Sequence, residues 1–167
     1  MTTLAPEQVQ LPVSVLTDSF QIRGKLAILG TFLTFLNDEA KPTFDILGPV
    51  VIGVSTTNPA AQMAQSEMLV LKRAIHALCI ESGVPQGVTL PPRTELLMAY
   101  TSQYAIGGKW HMTPDARIAD FVDASHAVFL PVSDARIYPL TNARQGIIPA
   151  APLVMVHRDL IQSYHKG

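Results

Sequence analysis

TDSFQIRGKL at residues 17–26 and TSQYAIGGKW at residues 101–110 are one pattern written twice. Thr17 and Thr101, Ile22 and Ile106, Gly24 and Gly108, and Lys25 and Lys109 coincide at one offset of 84 positions. Phe20 falls on Tyr104, and Leu26 on Trp110. Each stretch alternates. Phe20, Ile22, Gly24, Leu26 and Ile28 share one face, with Gln21, Arg23 and Lys25 opposite. Tyr104, Ile106, Gly108, Trp110 and Met112 repeat that face, with Gln103, Lys109 and His111 opposite. Period-two alternation predicts a half-buried strand. A glycine inside its apolar face predicts a bend or the close approach of another element.

The repetition continues outward. TFLTFLN (31–37) matches RIADFVD (117–123), FDILGPVVIGV (44–54) matches FLPVSDARIYP (129–139), and MLVLKR (68–73) matches LVMVHR (153–158). The offset stays between 84 and 86. The chain therefore divides into a tail (1–12), a first unit (13–80), a Gly- and Pro-containing linker (81–95) and a second unit (96–167). Phe32, Phe35 and Leu36, like Ile118, Phe121 and Val122, have helical spacing, and Thr113-Pro114-Asp115 reads as a helix start. Strands are expected at 44–54, 67–72 and 74–80, and at 128–138, 153–157 and 159–165. Apart from Asp45, stretch 44–54 is apolar on both faces, which predicts burial on both. The expected fold class is α+β: two tandem copies of a small antiparallel sheet or barrel unit with one short helix each, packed about a pseudo-twofold axis.

Composition limits the function. Apolar residues make up 48% and charged residues 15% of the 167, so some apolar surface is expected in an interface. A net charge of −1 argues against binding nucleic acid by bulk electrostatics. The single cysteine, Cys79, excludes an internal disulfide and a multi-cysteine zinc site. The N-terminus has no basic start or apolar segment of a secretory signal, and a cytoplasmic location is expected.

Catalytic patterns are sparse. His111, His126, His157 and His165 lack metal-ligand spacing and read as surface residues. His76 reads as a satisfied or edge histidine. Asp120, Asp123 and Asp134 read as solvated acids rather than as a general acid–base group. Arg23, Lys25, Lys72, Arg73, Lys109, His157 and Arg158 form at most a mild basic stripe. Phosphate-loop, dinucleotide and nucleophile-elbow motifs are missing from the sequence.

The Thr-x-x-aromatic-x-Ile-x-Gly strand, the FLND or IADFVD helix and the FLPVSDARIY segment together resemble a family of short uncharacterised bacterial domains. These carry a Y-x-I-x-G strand, an R-L-S-D-F-L-N-like helix and an F-L-P-L-T-D-A-R-like strand. Residues 101–138 carry the better match, and LGPV at 47–50 departs from the T-D-A-R segment. The resemblance covers most of each unit. It implies a small non-enzymatic module and supplies no catalytic residues.

The expected function is therefore a non-enzymatic protein-interaction or assembly module, a structural or adaptor subunit of a homo- or hetero-oligomer. No cofactor or metal is expected, and neither a membrane span nor a nucleic-acid partner. Trp110, Tyr104, Tyr138, Val51, Leu47 and Arg136 are the interface candidates. The alternative is a ligand-sensing regulatory domain with a pocket between the two copies.

Overall fold

The computed structural model describes residues 8–59 and 62–167. Residues 1–7, most of the expected tail, lie outside them. The first half runs β1 (Val9–Leu16), β2 (Phe20–Ile28), α1 (Phe32–Asn37), β3 (Thr43–Gly53), β4 (Met63–Ala64), β5 (Glu67–Leu71) and β6 (Ala77–Ile80). The second runs β7 (Arg93–Tyr100), β8 (Tyr104–Met112), α2 (Phe121–Ala124), β9 (Phe129–Pro139), β10 (Ala150–His157) and β11 (Ser163–Lys166). A 3-10 turn precedes β6 at Lys72–Ala74 and β11 at Arg158–Leu160. No helix among the described residues is long and apolar enough to cross a membrane.

The shared threonine closes a hairpin in each half. Thr17 N donates to Phe20 O at 2.9 Å, and Phe20 N donates to Thr17 Oγ1 at 3.0 Å. Thr101 and Tyr104 repeat both bonds at 2.8 and 3.1 Å. A short hydroxyl side chain can satisfy the backbone of such a turn locally. The strands before these turns, β1 and β7, were not expected. They begin inside the stretches read as tail and linker, where polar residues and Pro12 blur the alternation.

The shared glycines mark a bulge. The β2·β3 register shifts between Arg23 and Lys25, and the β8·β9 register shifts between Gly107 and Lys109. Opposite each shift the partner strand passes through positive φ, at Gly48 (57°) and Asp134 (49°). Glycine adopts that conformation freely and aspartate tolerates it. Across the bulge, counterpart residues move from 84 to 86 positions apart. Phe20 pairs Gly53 where Tyr104 pairs Pro139, and Thr43 pairs Leu71 where Phe129 pairs His157. The true counterpart of Arg158 is thus Lys72, not Arg73.

That pair has one job in both halves. Buried Lys72 donates from Nζ to Asp38 O, the residue after α1, at 2.9 Å and to Phe35 O, in its last turn, at 3.4 Å. Arg158 Nη1 donates to Ser125 O at the end of α2. A cation suits the unpaired carbonyls and negative dipole of a helix C-terminus. Burial lowers the Lys72 pKa, and Asp38 opposes that shift.

The expected fold class does not hold. Strand accounts for 51% of the described residues and helix, 3-10 turns included, for 10%, so the fold is mainly antiparallel β. The helices have only six and four residues, and α2 starts at Phe121 rather than at Thr113. Among the described residues all strands join one 11-stranded sheet in the order β11-β7-β8-β9-β10-β6-β1-β2-β3-β4, with β5 beside β4 along β3. Its continuity follows from edge chemistry: buried strand edges need hydrogen-bond partners, and each half supplies one to the other.

Nor is there a pseudo-twofold arrangement. β6, the last strand of the first half, pairs with β10, whose counterpart is β5. The reciprocal pair, β5 with β11, is not formed. The halves are joined head to tail, because unlike edges meet once only. β3 also differs from expectation: its exposure alternates along the strand, so only one face is fully buried.

Two hydrophobic cores result. Val13, Val15, Ile22, Leu26, Phe44 and Leu78 belong to one, and Tyr104, Ile106, Trp110, Phe121, Val132 and Val154 to the other. β6 and β10 serve both. Leu78, Ile80, Leu153 and Met155 face the first core, while Ala77, Cys79, Val154 and Val156 face the second.

Candidate functional site

Where the halves meet, the pairing is fully covered. Leu153 pairs Ile80, Val154 pairs Cys79, Met155 pairs Leu78 and Val156 pairs Ala77, and all eight side chains are completely buried. The ladder continues from His157 N to His76 O at 3.0 Å. Asn37 of α1 reaches across, its Oδ1 accepting from Phe129 N at 3.0 Å. This seam is what the sheet does with a strand edge when a partner is present.

At the other end the same edge has no strand partner among the described residues. Glu67, Leu69 and Leu71 of β5 are the counterparts of Leu153, Met155 and His157. Met155 is 0% and His157 5% exposed, whereas Leu69 is 66% and Leu71 42% exposed. Backbone N–H groups at 67, 69 and 71 point to this edge, because Lys72 N, on the alternate set, donates back to Pro42 O. Glu67 lies near Asp45 of β3, and hydrogen bonding and charge repulsion with Asp45 raise its pKa. Leu47, which pairs Glu67, lies on the same face and is half-buried.

The expected interface residues do not gather in one place. Trp110, Tyr104 and Val51 are core residues. Trp110 donates from Nε1 to Leu97 O at 3.1 Å, and Tyr104 from its hydroxyl to Thr17 O at 2.6 Å. Tyr138 and Arg136 are exposed on β9, away from the β5 edge. Leu69 and Leu71 were missed. Their signal was an apolar residue on each alternate position of a strand whose other face is also apolar.

The polar groups separate as well. Asp120 pairs with Arg117 at 2.5 Å and exposed Asp134 with Lys109 at 3.0 Å. Among the described residues, no three His, Cys, Asp or Glu side chains stand close enough to hold a metal ion. The basic stripe is interrupted too, since Arg23 bonds Glu81 at 3.0 Å and Lys72 is buried against α1. Cys79 is buried, and burial raises its thiol pKa far above the reactive range.

Two histidines lie at the seam. His76 Nε2 is 2.5 Å from Asp18 Oδ1, and its ring meets Tyr104 edge-on at 5.4 Å. His157 is buried beside Phe129, its Nδ1 accepting from Asp159 N at 3.2 Å. Burial lowers the His157 pKa, Asp159 opposes that, and Arg158 and His76 lower it further. The folded state thus prefers neutral His157. As the pH falls below the ordinary histidine value of 6.5, the unfolded chain takes up a proton that the folded chain resists, and stability is lost. The thermal midpoint is expected to drop on acidification from about pH 7.5 to 5.5, and less steeply in His157→Gln. Equal slopes in the two proteins would refute that assignment.

The halves also enclose an apolar cavity of about 190 Å³, to which Leu33 and Asn37 contribute from α1 and His111, Phe121 and Leu130 from the second half. Asn37 and His111 are already committed, His111 being 2.8 Å from Pro91 O and 2.6 Å from Ser133 Oγ. Compared with protein-family models, with curated proteins and with solved structures, the chain matches none.

Proposed function

We propose that the protein is a non-enzymatic assembly subunit whose partner covers the open β5 edge. The observation that carries this is the contrast along equivalent positions: Leu69 is 66% exposed where Met155 is 0%. An unpaired edge with alternating leucines is a ready site for strand addition. It is also unfavourable to leave bare, since apolar surface kept in water forgoes roughly 25 cal/mol per Å² of burial.

Native mass spectrometry of the protein isolated from its source cells tests this. A mass above the 18.1 kDa chain is expected, falling to the single chain in Leu69→Asp. A single-chain mass for the unaltered protein would sink the proposal.

Besides an open groove of about 500 Å³ lined by Lys41, Leu71, His157 and Leu160, the halves share the apolar cavity beside Leu33, which favours a second reading, a ligand-sensing domain. At about 190 Å³ it is smaller than the usual ligand pocket of roughly 300 Å³ or more, so its occupant would be a single small apolar ring. A thermal shift by benzene-sized compounds, abolished by Leu33→Trp, would support that reading. An unshifted midpoint across such compounds would end it.

A further inference from the structure

The seam between the halves is a template with one use left. It joins a β10-type edge to a β6-type edge, and among the described residues one example of each, β5 and β11, is unpaired. We propose that β5 of one copy pairs antiparallel with β11 of a second copy of this chain, repeating between molecules the join that links the halves within one. This rests on the assembly reading above and names its partner.

Counterpart positions give the register. Leu153↔Ile80 becomes Glu67↔Lys166, Val154↔Cys79 becomes Met68↔His165, Met155↔Leu78 becomes Leu69↔Tyr164, and Val156↔Ala77 becomes Val70↔Ser163. The bond from His157 N to His76 O becomes one from Leu71 N to Gln162 O. Gln162 is set like His76, since Gln162 N donates to Tyr100 O where His76 N donates to Leu16 O, both at 2.8 Å.

The side chains that this register brings together are complementary. Glu67, crowded by Asp45, meets a lysine ammonium. Leu69, the most exposed large apolar residue of β5, meets the ring of Tyr164. The capping contact also has its counterpart: Asp123 replaces Asn37 as the acceptor, and Thr43 N replaces Phe129 N as the donor. An opposite-charge pair and an aromatic–aliphatic pair directly across strands both favour pairing.

The intermolecular join differs from the seam in strength. Ser163, His165 and Lys166 are exposed and polar where Ala77, Cys79 and Ile80 are buried and apolar. Charged edges oppose indiscriminate pairing, so this contact forms reversibly and with a defined register. Because it is head to tail, repetition closes a ring or extends a filament, according to the rotation between copies.

The test uses the full chain purified alone, with mass measured by light scattering over a range of concentrations. A mass of two or more chains is expected. Glu67→Lys or Lys166→Glu alone weakens self-association about tenfold, and the double exchange restores it to within about threefold. Both residues are exposed, so the fold survives either change. A single-chain mass up to about 100 μM overturns the inference, as does an oligomer indifferent to all three variants. The assembly reading fails separately, when the protein from source cells is also a single chain.

Discussion

Trp110→Ala is expected to lower the unfolding free energy by about 3–5 kcal/mol while leaving the native mass unchanged. Trp110 is the largest fully buried side chain. Its ring meets Phe121 edge-on at 6.1 Å, and its Nε1 donates to Leu97 O at 3.1 Å. Truncation leaves a cavity in the second core and removes the Leu97 bond. It also takes the packing partner from α2, a four-residue helix with little stability of its own. For a chain of this size the thermal midpoint should fall on the order of 10 °C. An interface anchor would show the opposite pattern, with a stable fold and a reduced mass. Leu69→Asp is expected to do that. A Trp110→Ala loss below about 1 kcal/mol would contradict the core assignment.

Gly108→Val should destabilise at least as much, and Gly24→Val should match it. A Cβ at Gly108 would lie 2.8 Å from Ser133 O and 2.8 Å from Val132 Cγ1. At Gly24 it would lie 2.5 Å from Ile46 Cγ2 and 2.8 Å from Leu47 O. The carbonyls belong to the partner strand at the bulge and cannot move without breaking the ladder. Overpacking with one methyl costs roughly 1–3 kcal/mol, and valine adds two more carbons. Gly107→Ala is the control. Its Cβ would meet the Met98 Cε at 2.8 Å, the far end of a flexible side chain that can turn aside. Urea unfolding of the three variants checks the order. Equal losses at Gly107 and Gly108 would show that the bulge does not set the constraint.

Much of the local structure was legible in the residues. The alternation at Phe20–Ile28 and Tyr104–Met112 marks β2 and β8, and Gly24 and Gly108 mark the bend. β1 and β7 were not legible, because Pro12 and the polar start of RTELLMAY resemble tail and linker. The helix start at Thr113 was misleading: a favourable cap cannot hold two turns without a long apolar face, and residues 114–115 and 118–120 make turns instead. Trp110 and Tyr104 looked like anchors because an aromatic residue in an alternating strand reads the same whether its face meets its own core or another molecule.

What the sequence determined by itself is which residues share a face and where the strands turn, since side-chain alternation and turn chemistry are local. What only the tertiary structure decided is which edges meet. The hydrogen-bonding groups along a strand edge are the same backbone N–H and C=O whatever the residues, so no local pattern says that β6 takes β10. That choice turned two similar halves into one sheet with a covered seam and, among the described residues, an open edge at β5 and another at β11, and it left Leu69 and Leu71 uncovered where Met155 and His157 are buried.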